Sequence, residues 1–136
     1  MPLLAVRRAA NLLGSALHLT FLMLFGLAPT PRLSMLAYCG VTATQCIYGS
    51  GHIPNYNEVF ASDVGVGKAV GNTVANAPGA VIPALGVLLR ARFGGSWMPL
   101  FGLVGGFQLF SGLLYARYAS VEPAAELLQR RREKAA

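Results

Sequence analysis

Tyr38, Thr42, Gln45, Gly49 and His52 follow one another at spacings of four, three, four and three, which sets them along one face of a helix. Four of the five carry neutral hydrogen-bonding groups. Their chemistry is recognition: donors and acceptors for a partner helix, or for water and a polar solute in a cavity. As contacts between helices, such groups contribute about 0.6 kcal/mol each and up to about 2. Tyr38, Thr42 and Gln45 are the candidate cavity-lining residues. His18 lies alone in an apolar run, where an imidazole can relay protons or bond to a neighbouring helix. Glu58, Asp63 and Lys68 fall within "PNYNEVFASDVGVGK", residues 54–68. No histidine or nucleophile is arranged beside them, so capping or loop pairing suits them better than acid–base chemistry. Cys39 and Cys46 are seven residues apart on one expected helix, roughly 10 Å along its axis, beyond disulfide reach. The sequence contains no P-loop, metal-ligand cluster, Ser/His/Asp set or Gly-rich dinucleotide turn. The expectation is a protein that is not an enzyme, with no metal site and no cofactor.

The elements that hold these residues are built for lipid. Of 136 residues, 54% are hydrophobic and only 12% are charged, against roughly 25% charged in a soluble domain. Residues 9–31, 33–57, 69–89 and 93–116 contain no ionised side chain. Each gap provides the roughly 20 residues a helix needs to cross a hydrocarbon core about 30 Å thick. The predicted fold class is therefore an all-α, multi-pass membrane protein with four transmembrane helices, near residues 9–28, 33–53, 69–89 and 97–116. A basic cytoplasmic tail, 121–136, follows. The net charge of +6 comes from short clusters beside the apolar runs, without a single basic face, so nucleic acid is not an expected partner. With the N-terminus inside, Arg7, Arg8, Lys68, Arg117 and the tail lie on the cytoplasmic side and Arg32, Arg90 and Arg92 opposite, which predicts that both termini are cytoplasmic. The first run has the charged start of a secretory signal, but it is longer than a signal core and no A-x-A pattern closes it.

Each span has its own character. The first is rich in Leu and Phe on most sides and reads as lipid-facing. In the third, Gly67, Gly71, Ala75 and Gly79 form a small-residue stripe at steps of four, which lets another helix approach closely. Asn72 and Asn76 make a second row. Pro78 and Pro83 deprive the carbonyls of Val74 and Gly79 of their helical partners, so a bend beside a protein-covered or hydrated seam is expected. The fourth span has Trp97 at one end and Tyr115 and Tyr118 at the other, an aromatic belt, with Gly102 and Gly106 as a further close-approach pair. Pro123 and "AAELLQRRREK" read as a short basic helix that can lie near anionic lipid.

The segments "VRRAANLLG", "GSGHIPNYNEVFASDVG", "GNTVANAPGAVIPALGV" and "SWMPLFGLVGGFQLFSGLLYARYAS" together resemble the C-terminal end of the anion:cation symporters, the sodium–phosphate, sialin and vesicular glutamate transporters of the major facilitator superfamily. The resemblance covers residues 6–126. Asn55, Glu58, Asn72, Val74, Gly79 and Pro83 look like the family's Asn, acidic residue, Asn, Val, Gly and Pro, and Trp97 and Phe101 like the start of its last helix. Two residues after the acidic position the family usually has Ala-Pro, where this chain has Phe60 and Ala61. The resemblance implies helices nine to twelve of a twelve-helix carrier. The second span would then line the central cavity, and the third would pack against the other half. It also implies a small anionic substrate touching Tyr38, Thr42 and Gln45, with Gly67, Gly71, Asn72, Asn76, Pro78, Gly79 and Pro83 shaping bending and packing. The expected partners are the lipid bilayer and the remaining helices of a full-length transporter. The rival expectation is a free-standing four-helix protein, an oligomeric structural or regulatory subunit whose partner is a self-associating copy.

Overall fold

The computed structural model describes residues 3–60 and 63–120, together with 122, 126 and 133. Most of the predicted basic tail lies outside the described residues. Four helices account for nearly all of the described chain: α1 (Leu3–Leu27), α2 (Pro31–Val59), α3 (Val64–Arg92) and α4 (Met98–Tyr118). Their boundaries are written locally. Thr30 caps α2, its hydroxyl accepting from the Leu33 amide at 3.4 Å, and Pro31 occupies the first turn, where no amide donor is needed. At the end of α3, Gly94 and Gly95 have φ of 61° and 86°. The Gly95 amide donates to the Arg90 carbonyl at 2.8 Å, the six-to-one bond of a Schellman close that only a left-handed backbone permits. Arg90 adds a bond from Nε to the Gly95 carbonyl at 3.1 Å, and its guanidinium lies 5.1 Å from the centre of the Trp97 ring.

The helices outrun the apolar gaps. The segment 54–68, which falls between the second and third predicted spans, is mostly helical: α2 continues through Pro54 to Val59 and α3 begins at Val64. A charge marks where hydrocarbon ends, not where backbone hydrogen bonding must stop. At 29 residues each, α2 and α3 are roughly 43 Å long, longer than a hydrocarbon core about 30 Å thick. α3 also runs without interruption across Pro78 and Pro83. α1, α3 and α4 are long and apolar enough to span a membrane, and the chain is an all-α membrane protein. α2 has the length but is more polar, carrying Ser34, Thr42, Thr44, Gln45, Ser50, His52, Asn55 and Glu58. It runs antiparallel to α1, with Phe21 against Gly40, His18 against Thr44, Gly14 against Tyr48 and Asn11 against Gly51.

The packing is inverted relative to a water-soluble bundle. Among the described residues, the buried apolar side chains are Ala37 and Val41, whereas the buried polar ones are Asn11, Ser15, His18 and Thr44. Leu13, Leu24, Met35, Leu36, Val74, Val87, Phe107 and Phe110 are all exposed. In water this would forfeit about 1.5 to 3 kcal/mol per large side chain; in lipid it costs nothing. The first helix corrects its lipid-facing expectation: α1 packs on α2 along one flank and on α4 along the other, its contact face being Asn11, Gly14, Ser15 and His18. The leucines dominate its composition, but none of them is among its buried residues.

Glycine sets the distances between helices. A Cβ added at Gly14 would lie 2.5 Å from the Tyr48 amide nitrogen, and one at Gly51 would lie 2.6 Å from the Arg7 carbonyl oxygen. On α4, Gly105 and Gly112, two turns apart, meet Leu19 and Ser15, while the expected pair Gly102 and Gly106 meets nothing. The close face of α4 is thus rotated from the predicted one. Gly14→Ala and Gly51→Ala must push backbone against backbone, and each is expected to lower unfolding stability in mild detergent by about 1 to 3 kcal/mol. Gly79→Ala and Gly102→Ala face open space and are expected to be neutral or slightly stabilising, as Ala is the better helix former. Denaturant titration of the four variants separates the two classes.

Candidate functional site

A polar seam runs along α1 from His18 back to Arg7. At its core, the Thr44 hydroxyl donates to the Val41 carbonyl at 2.7 Å, so its oxygen is free to accept from His18 Nδ1 at 3.1 Å. One turn towards the N-terminus, Gln108 Nε2 of α4 donates to Ser15 Oγ at 3.2 Å, and Ser15 is wholly buried. Next, Asn11 Nδ2 donates to the Tyr48 carbonyl at 3.2 Å, and its side chain also approaches His52 Nδ1 at 3.5 Å. The Tyr115 hydroxyl of α4 donates to the Gly51 carbonyl of α2 at 2.8 Å. At the end of the bundle, Arg8 donates to the Ala119 carbonyl at 2.6 Å, neutralising the negative end of α4. Arg7 forms an ion pair with Glu58 through both guanidinium nitrogens, one bond measuring 2.7 Å.

Beside this seam the structure opens. α3 touches the other helices at its two ends: Gly67 lies under the Phe60 ring, Gly71 against the Tyr56 hydroxyl, and Gly86 against Leu100 and Trp97. Between these contacts, residues 72–81 of α3 are all exposed. The space left at the end carrying the Arg7–Glu58 pair is a cavity of about 530 Å³. α1 contributes Asn11 to it, α2 Tyr48, His52, Asn55 and Tyr56 with Phe60 at its C-cap, α4 Gln108, Ser111 and Tyr115, and α3 Ala75. A second hollow of about 590 Å³ adjoins it, sharing His52, Tyr56 and Ala75 and adding Lys68, Gly71 and Asn72. The two make one cleft between α3 and the α1/α2/α4 group. Asn55 lines the cleft, but its Oδ1 is closed off and has no hydrogen-bond partner, a state that costs about 1 to 3 kcal/mol.

The predicted residues divide unevenly around this cleft. Of the stripe on α2, His52 lines it and Gly49 is buried, but Tyr38, Thr42 and Gln45 lie on an exposed flank. The Thr42 hydroxyl bonds to the Cys39 carbonyl of its own helix at 2.9 Å. Tyr38 borders a separate recess beside Phe25 and Pro31 near the α1–α2 turn. On α3, Gly71 and Asn72 line the second hollow, and Gly67 packs on Phe60. Asn76 turns back onto Asn72, its Nδ2 donating to the backbone carbonyl at 2.8 Å and to Oδ1 at 3.1 Å. Pro78, Gly79 and Pro83 are exposed beyond the cleft. Asn11, Tyr48, Asn55, Gln108 and Tyr115 were not singled out as cavity residues. For three of them the sequence carries a signal: Val41, Thr44, Tyr48, Gly51 and Asn55 form a second face of α2 at spacings of three, four, three and four, and Asn11, Ser15 and His18 form its counterpart on α1. Among the described residues no group of three or more His, Cys, Asp or Glu side chains comes together.

No family model matches the chain, and no curated protein or solved structure matches it either.

Glu58 lies beyond the apolar part of α2, and the hydrogen bond from Arg7 holds its carboxyl below the ordinary carboxylate range. A carboxyl depressed on folding adds stability above its unfolded pKa and loses it as pH falls through the folded one. Glu58→Gln is therefore expected to lower the unfolding midpoint at neutral pH. The gap from the parent protein should close on acidification, because the parent loses the same charge. Thermal unfolding in detergent across pH 3 to 7 checks this; a gap independent of pH would contradict it.

Proposed function

We propose that the four helices are the C-terminal part of a secondary-active membrane carrier of the major facilitator type for small organic or inorganic anions, with the cleft as part of the solute path. The observation that carries this reading is the cleft itself. Asn11, Asn55 and Gln108 reach it from three helices, and lipid would leave such groups unsatisfied, so a hydrated or solute-filled hollow is their natural surrounding. Lys68 at its α3 side supplies a positive charge suited to an anion. The resemblance to the anion:cation symporters points the same way, since Asn55 and Asn72, two of its matching positions, both line the cleft. In this reading the exposed flank of α2 with Tyr38, Thr42 and Gln45, and the outer face of α3 with Asn76, Pro78, Gly79 and Pro83, turn towards the other helices of the carrier.

A second reading rests on the exposure of residues 72–81. A second copy of the chain could cover that face, making the protein an oligomeric structural or regulatory subunit.

The transcript upstream of the Met1 codon distinguishes the two. In-frame sequence coding for further apolar helices is expected for a carrier, and in-frame stop codons directly upstream would overturn it. In the carrier so defined, reconstituted in proteoliposomes, Asn55→Leu combined with Gln108→Leu is expected to lower uptake of labelled phosphate or glutamate by about tenfold, the equivalent of two lost hydrogen bonds. Uptake equal to that of the parent protein would remove the cleft from the solute path.

A further inference from the structure

Tyr48, His52 and Tyr56 on α2 and Phe60 at its C-cap recur at steps of four, and all four line the cavity of about 530 Å³. They form two stacked pairs. The Tyr48 and His52 rings are 5.9 Å apart and inclined by 16°, and the Tyr56 and Phe60 rings are 6.0 Å apart and inclined by 18°. One wall of the cavity is therefore aromatic, with near-parallel planes within each pair. None of the side chains lining that cavity is a Lys, Arg, Asp or Glu. Between the pairs, on the same helix, Asn55 holds its buried Oδ1 without a donor.

We infer that this cavity is a binding site for a small planar aromatic or heteroaromatic ring that carries a hydrogen-bond donor. The ring lies against the aromatic wall, where face-to-edge and offset contacts favour a flat π system over a saturated ring of equal size. A rotation of the Asn55 amide brings Oδ1, closed off at rest, against the ligand's N–H or O–H, removing the cost of an unpaired buried acceptor. The absence of a lining charge suits the uncharged ring portion of the ligand, and a charged substituent would have to extend towards Lys68 in the adjoining hollow. A volume of about 530 Å³ falls within the range of about 300 to 1,000 Å³ usual for small-molecule sites. The inference uses the same cleft as the carrier reading but does not depend on it, because binding at equilibrium requires no transport.

The test is equilibrium binding to the whole chain in detergent, by calorimetry or ligand-observed magnetic resonance, with protein-free micelles as the baseline. Benzamide and cyclohexanecarboxamide have the same amide donor and nearly the same size, and differ in ring planarity. Benzamide is expected to bind saturably in the millimolar range, about fivefold or more tighter than cyclohexanecarboxamide. N,N-Dimethylbenzamide, which has the ring but no donor, is expected to bind more weakly than benzamide, and Asn55→Leu should abolish that difference. Tyr56→Leu, which keeps an apolar side chain beside Gly71, should abolish the preference for the flat ring. Equal affinity for the flat and saturated amides in the parent protein would overturn the aromatic wall. Equal affinity for benzamide and its dimethyl derivative would overturn the role of Asn55. No saturable binding of any of the three would overturn the site. An upstream stop codon would end the carrier reading and leave each of these results to stand.

Discussion

Lipid accepts no hydrogen bonds, and the architecture follows from that constraint. Every polar side chain drawn into the membrane needs a protein partner or water, and α1 is where most of them find one. Asn11, Ser15 and His18 lie on a single face, and each is answered from α2 or α4: by the Tyr48 carbonyl, by Gln108 and by Thr44. This seam makes the first helix the hub of the bundle. Apolar side chains cannot do the same, since a leucine exchanges one hydrocarbon neighbour for another when helices associate. What remains is dispersion, which needs close approach. Gly14, Gly51, Gly105 and Gly112 provide it at the same interfaces that hold the hydrogen bonds. Polar satisfaction and close approach thus reinforce one another along α1.

Much of the helical framework is legible in the sequence, because charge placement and the need for about 20 apolar residues leave few alternatives. The four helices and their order follow from residues 9–31, 33–57, 69–89 and 93–116 being free of charge. Their ends do not. Hydropathy locates the membrane boundary, whereas the ends of α2 and α3 are decided by hydrogen bonding and ring stacking around Tyr56 and Phe60 and by the left-handed pair Gly94 and Gly95. The contact faces were harder to read for a geometric reason. Neighbouring residues on a helix point about 100° apart, so the stripe Tyr38, Thr42, Gln45, Gly49 and the stripe Val41, Thr44, Tyr48, Gly51, Asn55 are both regular. Periodicity identifies a stripe without choosing between two. The choice between them is made by α1, whose buried face carries three polar residues against a background of leucine that conceals them in any average.

α3 is the exception to this economy. It is held at Gly67 and Gly71 by the aromatic end of α2 and at Gly86 by the start of α4, with a tight corner at Gly94 and Gly95. Between those points Asn72 and Asn76 satisfy one another in part within the helix. An intrahelical bond of this kind lets an amide tolerate an apolar neighbour without requiring it to face one. The same segment contains Pro78 and Pro83, neither of which can donate an amide, so the Val74 and Gly79 carbonyls have no helical acceptance from those positions. Both residues are exposed.

A free carbonyl facing acyl chains would carry the full cost of an unmade hydrogen bond, several kcal/mol at membrane depth by the order of magnitude for buried peptide groups. Two such carbonyls with two asparagines on one helix make a lipid-facing position for this segment unfavourable. α3 has a use for water or further protein along its middle, whereas α1 and α4 are complete against each other. The cleft is the direct consequence. Because α3 is anchored by its ends and has little to gain from the apolar flanks of its neighbours, a hollow remains beside the polar seam, walled on one side by Tyr48, His52, Tyr56 and Phe60. The least-packed helix and the most polar hollow are therefore products of the same distribution of prolines, asparagines and small residues in residues 67–83.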